Sequence, residues 1–243
     1  LVPSFSAAAE KTVSVWFSCY SGESYSFPML RQRITVKQDT VKKYGWKNAP
    51  EGTMVGGVDH GVKDGEITVA DAILTAHEVL YGENFTAETM KNYIGGTESY
   101  MTKIFGLSAA TGIMFTVNDR VPVGEMTDGY AANECVLSDG DEVEFFLLTD
   151  DEMYGMLNTY LYFDTKSAFV AAGDTLTLTL TGFTAYESMF SAPGNPTQPL
   201  TSLKPMADVA VGKLDENGAF VDFLYDDNHN VVKTDKDGKL TYT

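Results

Sequence analysis

Hydrophobic and polar positions alternate from the start of the chain's first ordered-looking segment. Over residues 12–17, Val13, Val15 and Phe17 fall on one side, which is the period of a half-buried strand. A second strand is predicted within 26–37, ending in Ile34-Thr35-Val36, and the Gly-rich stretch 52–65 reads as an inserted loop. The period then changes to that of a helix over 69–81, where Val69, Ile73 and Leu80, with Ala72 and Ala76 beside them, form one stripe. Thr68 is the expected N-cap, Asp71 completes an Asp version of the capping box, and Gly82 is the stop. Thr86 is placed to cap a short second helix through Tyr93, ended by Gly95-Gly96. Alternation returns over 112–117 and runs into an Asn118-Asp119 turn. The turn Ser138-Asp139-Gly140-Asp141 leads into a strand at 142–148 whose end is continuously apolar.

Asp150-Asp151-Glu152 breaks the composition, and no helical pattern follows it. Residues 175–181 read Thr-Leu-Thr-Leu-Thr-Leu-Thr, a strand with Leu176, Leu178 and Leu180 inward, and 191–205 form a loop rich in Pro and Ser. Short strands are predicted at 208–211, 219–224, 230–233 and 239–242, separated by turns at Glu216-Asn217-Gly218 and Lys236-Asp237-Gly238. The expected fold is mostly β with a small α+β part. Residues 11–150 have the strand, strand, helix, strand, strand order of a β-grasp-like module. Residues 155–243 resemble the immunoglobulin-like β-sandwich of bacterial surface proteins in their strand spacing and Asp-x-Asn-Gly and Asp-x-Asp-Gly turns. Residues 1–10, with Ala7-Ala8-Ala9 before Glu10, read as a signal-peptide remnant or a disordered tail. Residues 239–243 stop within a strand-like pattern, so the sandwich is expected to be truncated at its C-terminus, with an open edge.

Three segments of the first module carry a resemblance. Ile67-Thr68-Val69-Ala70-Asp71-Ala72-Ile73 is similar to a T-V-x-D-A-L helix entry. Gly106-Leu107, followed by Gly112-Ile113-Met114-Phe115-Thr116-Val117-Asn118-Asp119, resembles a G-W-M-Y-x-V-N-G strand and turn. Leu137-Ser138-Asp139-Gly140-Asp141-Glu142-Val143-Glu144-Phe145 is similar to D-G-D-x-I-x-W. These are motifs of the bacterial family related to the C-terminal domain of transcobalamin, the cobalamin carrier. Ile113 stands in place of the family's Trp, Phe145 in place of another aromatic and Asp119 in place of Gly. The resemblance implies a fold and an exported bacterial protein more firmly than it implies cobalamin. Cys19 closes the first strand of the module and Cys135 precedes its last. Those strands are often neighbours in a β-grasp sheet, so a Cys19–Cys135 disulfide stands as one expectation and two free thiols as the other.

Charge and composition narrow the partners. The net charge is −17, and the hydrophobic fraction of 44% is that of a globular chain. Residues 1–48 hold seven basic and three acidic side chains, leaving 10 basic against 31 acidic beyond them. No basic face is on offer for nucleic acid, and no stretch approaches the length of a transmembrane segment. The acidic excess serves solubility or, more sharply, cation binding.

The chain carries few signatures of chemistry. No Gly-x-Ser-x-Gly elbow and no phosphate-cradling loop occurs. His77-Glu78 begins like a zinc-protease helix, but Tyr81 stands where the second ligand must be, and His77 is expected on the helix surface. Residues 60–71 echo a calcium loop that has His60 and Val62 where carboxylates belong, so a turn before the helix is expected there. Asp226, Asn228 and Asn230 place oxygens at alternate positions, and they are the candidate metal ligands. No cofactor is expected, and calcium is the one ion considered. Trp16 is expected to be packed, whereas Trp46 is the candidate ligand contact, as a sugar platform, against local packing. The expected protein is not an enzyme. It is a secreted or cell-surface, extracytoplasmic binding or adhesion protein whose ligand is an extracellular glycan or protein. Corrinoid-like small-molecule capture and an accessory domain of a glycan-active enzyme are the alternatives.

Overall fold

The computed structural model describes residues 10–109, 112–123, 129–148, 159–184 and 203–243. The segment before Glu10, the break at Asp150-Asp151-Glu152 and most of the loop at 191–205 lie outside the described residues. The described chain is mostly β.

Alternation in the first strand, β1 (Thr12–Ser21), turns Val13, Val15, Phe17 and Cys19 to one face, where all four are buried. Its hairpin partner β2 (Ser26–Lys37) meets it with Val36 opposite Val13, Ile34 opposite Val15 and Met29 opposite Cys19. Between these pairs the register slips, leaving Leu30 and Arg31 against Ser18 alone. This is a bulge with Arg31 at φ 39°, held by its backbone N–H donating to Ser18 Oγ. After the helix α1 (Val69–Tyr81) come β3 (Gly112–Val117) and β4 (Glu142–Leu148). The sheet order is β2-β1-β4-β3, with β1 and β4 running parallel and both outer pairs antiparallel.

The helix begins where the sequence predicts. Thr68 Oγ1 accepts from the Asp71 N–H, and the Asp71 carboxylate accepts from the Thr68 N–H. Asp71 is fully buried, and it also accepts from the Val41 N–H and Asn48 Nδ2. The carboxylate is thereby spent on structure. The segment 131–135 covers the start of the helix, receiving the Val69 and Ala70 N–H groups at the carbonyls of Cys135 and Ala132. The first nine helical residues are buried all round, whereas Leu80, predicted on the core stripe, is 43% exposed as the helix emerges.

The other face of the sheet carries Trp16, Ser18 and Tyr20 of β1, Met114 and Thr116 of β3, and Glu142, Glu144 and Phe146 of β4. Part of it is clothed by later strands. β5 (Thr159–Phe163), β6 (Leu176–Thr184), β7 (Lys204–Pro205) and β10 (Lys239–Tyr242) form a four-stranded sheet in which β6 pairs with the other three. Tyr160 and Phe183 of this sheet pack with Val121 and Val123, against Met114 and Phe146. Among the described residues, β10 has β6 as its one ladder neighbour. β8 (Gly212–Leu214) and β9 (Phe220–Phe223) form a separate hairpin.

The strands predicted at 208–211 and 230–233 are reduced to single bridges such as Ala210–Lys233. Aspartate turns flank these segments. Asp215, Asp226 and Asp235 each accept from the backbone N–H groups two and four residues on, drawing those donors into turns. The first of these turns touches the other half of the molecule. Gly218, at φ 78°, lies so close to Phe27 that a Cβ would stand 2.4 Å from the Phe27 carbonyl oxygen, and the Phe27 N–H donates to the Gly218 carbonyl.

Candidate functional site

The structure moves most of the residues that the sequence singled out away from any site. Trp46 is 7% exposed and belongs to the main core, so it is no sugar platform. Its N–H donates to the Val41 carbonyl and turns the ring inward after the short helix at Thr40–Lys43. Cys19 and Cys135 are free, buried thiols. Their strands are neighbours, but the register sets Cys19 opposite Phe145, ten residues beyond Cys135, and the Cys135 carbonyl is engaged at the helix start instead. Burial pushes both thiols up, away from reactive thiolates.

Asp226 accepts from Asn230 Nδ2 as well as from backbone N–H groups, so Asp226, Asn228 and Asn230 form a self-satisfied turn. Among the described residues, no group of three His, Cys, Asp or Glu side chains is arranged to hold a metal.

His77 is not on the surface. It is fully buried, stacked on Phe105 with ring centroids 4.1 Å apart. Nδ1 lies 2.7 Å from the Ile73 carbonyl and Nε2 accepts from the Phe105 N–H at 2.9 Å. Burial lowers its pKa to about 4, so the ring is neutral and structural. Its spacing of four from Ile73 and eight from Val69 places it on the apolar stripe, a signal present in the sequence. His60 is buried as well, stacked on Tyr130 with Nδ1 3.1 Å from Glu134 Oε2.

What the structure does bring together is a groove of about 440 Å³ where the β1–β2 hairpin, the end of β4 and the start of β5 meet. Tyr20, Tyr25 and Phe27 come from the hairpin, Glu144 and Phe146 from the outer face of β4, and Tyr160 from β5. Four of the rings meet in two pairs. Tyr20 and Phe27 lie 5.2 Å apart, and Phe146 meets Tyr160 edge to face at 4.8 Å. Tyr25 stands at the rim, 68% exposed. The Tyr160 hydroxyl is buried without a hydrogen-bond partner among the described residues, and burial raises its pKa. The groove was hidden from sequence reading because it draws on three distant segments. The continuous apolar end of β4 was its one trace, since a strand apolar on both faces must be covered on both.

A charged cluster extends from the groove along the same face. The bulge aims Arg31 across Trp16, its guanidinium carbon 4.2 Å from the ring centroid, to donate to Glu142 at 2.7 Å. Lys166, following β5, donates to Asp119 Oδ1 at 2.6 Å and lies 3.8 Å from both Glu142 and Glu144. Burial, together with the neighbouring acids, lifts Asp119 and Glu144 above the ordinary carboxylate range despite the ammonium. The Lys166 ammonium loses water too, but the carboxylates around it outweigh that and hold it above its usual value.

A second hollow, of about 330 Å³, lies against the other edge of the first sheet, lined by Met101, Met114, Phe115, Val121, Pro122 and Tyr130 among others. It is the more apolar of the two. Among the described residues, no helix is long and apolar enough to cross a membrane. Compared with protein-family models, with curated proteins and with solved structures, the chain matches none.

Proposed function

We propose that this chain is a non-catalytic, extracytoplasmic binding or adhesion protein of bacterial type, and that the aromatic groove between hairpin, β4 and β5 is its recognition surface. The observation that carries this is the groove itself: paired aromatic rings from three segments and the partly buried Glu144 carboxylate line one concave surface. A β-grasp-like reading of the first half is supported by the parallel β1–β4 pair at the centre of its sheet and by α1 packed across one face. The immunoglobulin-like reading of the second half rests on its antiparallel pairings and repeated Asp turns. Export rests on the Ala-rich segment before Glu10.

The test is a broad hydrolase screen run beside a binding screen against glycans, corrinoids and matrix proteins. Binding without turnover is expected. Reproducible turnover abolished by Glu144→Gln would overturn the non-catalytic reading.

A second reading, corrinoid-like capture, is favoured by the apolar hollow beside β3. It lies within the segment that resembles the transcobalamin-related family.

A further inference from the structure

Resting on the groove as the recognition surface, we propose that its ligand is a neutral glycan. A pyranose ring has an apolar C–H face and a rim of hydroxyls, and the groove offers a matching division. Tyr20, Tyr25, Phe27 and Phe146 present aromatic surface that a sugar face would remove from water. The polar side is under-used. Lys166 lies 3.8 Å from Glu144 Oε1, beyond hydrogen-bond reach, and Arg31 acts on that carboxylate from further away. Ligand hydroxyls can donate to the Glu144 carboxylate, whose residue lines the groove.

Charge excludes the alternatives. An ammonium ligand seated on Glu144 would face the Lys166 ammonium, with Arg31 further along the same face. An anion would face Glu144, Glu142 and Asp119 on a chain of net charge −17. A ligand charge of either sign is desolvated against a like charge, whereas hydroxyls are not. The volume falls within the roughly 300–1,000 Å³ of small-ligand clefts. Tyr25, Thr159 and Leu161 at the rim are exposed, so a glycan chain can continue past the groove.

The experiment is calorimetric titration of the full chain with neutral gluco-, manno-, galacto- and N-acetylglucosamine oligosaccharides. Sialylated and sulfated oligosaccharides and choline serve as charged probes, and Tyr25→Ala and Glu144→Gln as variants whose melting curves confirm folding. Tyr25 is exposed and Glu144→Gln preserves shape, so both variants are expected to fold. One neutral series should bind, and each variant should weaken it about tenfold or more. Variant-sensitive binding of a charged probe alone would overturn the glycan inference and leave the groove reading standing. Sugar binding indifferent to both variants would overturn both. Absence of binding by every neutral series would overturn the glycan inference.

Discussion

His77 shows how a single polar residue is fitted to a core. Its two ring nitrogens meet a helix carbonyl and the Phe105 N–H, and its faces lie among aromatic rings. Protonation would place a charge there without solvent, which is why the folded-state pKa falls to about 4 from an ordinary value near 6.5. The unfolded chain therefore takes up this proton more readily. The contribution is fully present above pH 6.5 and is lost as pH falls from there toward 4, amounting to about 3 kcal/mol. Urea unfolding between pH 7.5 and pH 4.5 should show this loss. His77→Leu should lack that part of the pH dependence while losing about 1–3 kcal/mol at neutral pH through the unmet Phe105 N–H. A His77 imidazole titrating near 6.5 in the folded protein would refute the assignment. At this scale the sequence was legible for Thr68 and Asp71, whose capping chemistry is local. It was not legible for Trp46, Cys19 and Cys135, whose surroundings depend on register and on segments distant in the chain.

Among the elements, the alternating strands and the helix follow from their periods. The outer face of the first sheet does not, because its cover comes from β5 and β6, far along the chain. Lys166 joins these elements electrostatically to the turn after β3 and to β4. Lys166→Met should destabilise the protein by about 2–3 kcal/mol near neutral pH, since it leaves partly buried carboxylates without their cation. Asp119 and Glu144 have folded-state pKa values raised above their unfolded ones, so protonating them favours the folded state. The deficit of Lys166→Met should therefore shrink as pH falls through those raised values, and Glu144→Gln should be neutral or stabilising at pH 7. Thermal melts of both variants across pH 5–8 test this. A Lys166→Met deficit that grows on acidification would contradict it. Within 208–233 the strand predicted at 219–224 forms as β9, whereas those at 208–211 and 230–233 are reduced to single bridges. Asp226 holds the Asn230 N–H in a turn at the start of the second of these, a competition that strand periodicity alone does not register.

At the scale of the molecule, a hairpin turn near Gly218 braces Phe27, the bulge at Arg31 directs a cation over Trp16, and β5 delivers Tyr160 to Phe146. These three contacts place the groove at a junction that no single segment announces. Recognition is expected in this groove and not in the apolar hollow beside β3. Amide and aromatic-ring chemical-shift mapping on the full chain tests it most directly, using the tightest-binding probe from the glycan, corrinoid and matrix-protein panel. Saturable shifts are expected at Tyr20, Tyr25, Phe27, Glu144 and Phe146, with the affinity about tenfold weaker in Tyr25→Ala. Shifts confined to Met101, Met114 and Tyr130 would contradict it.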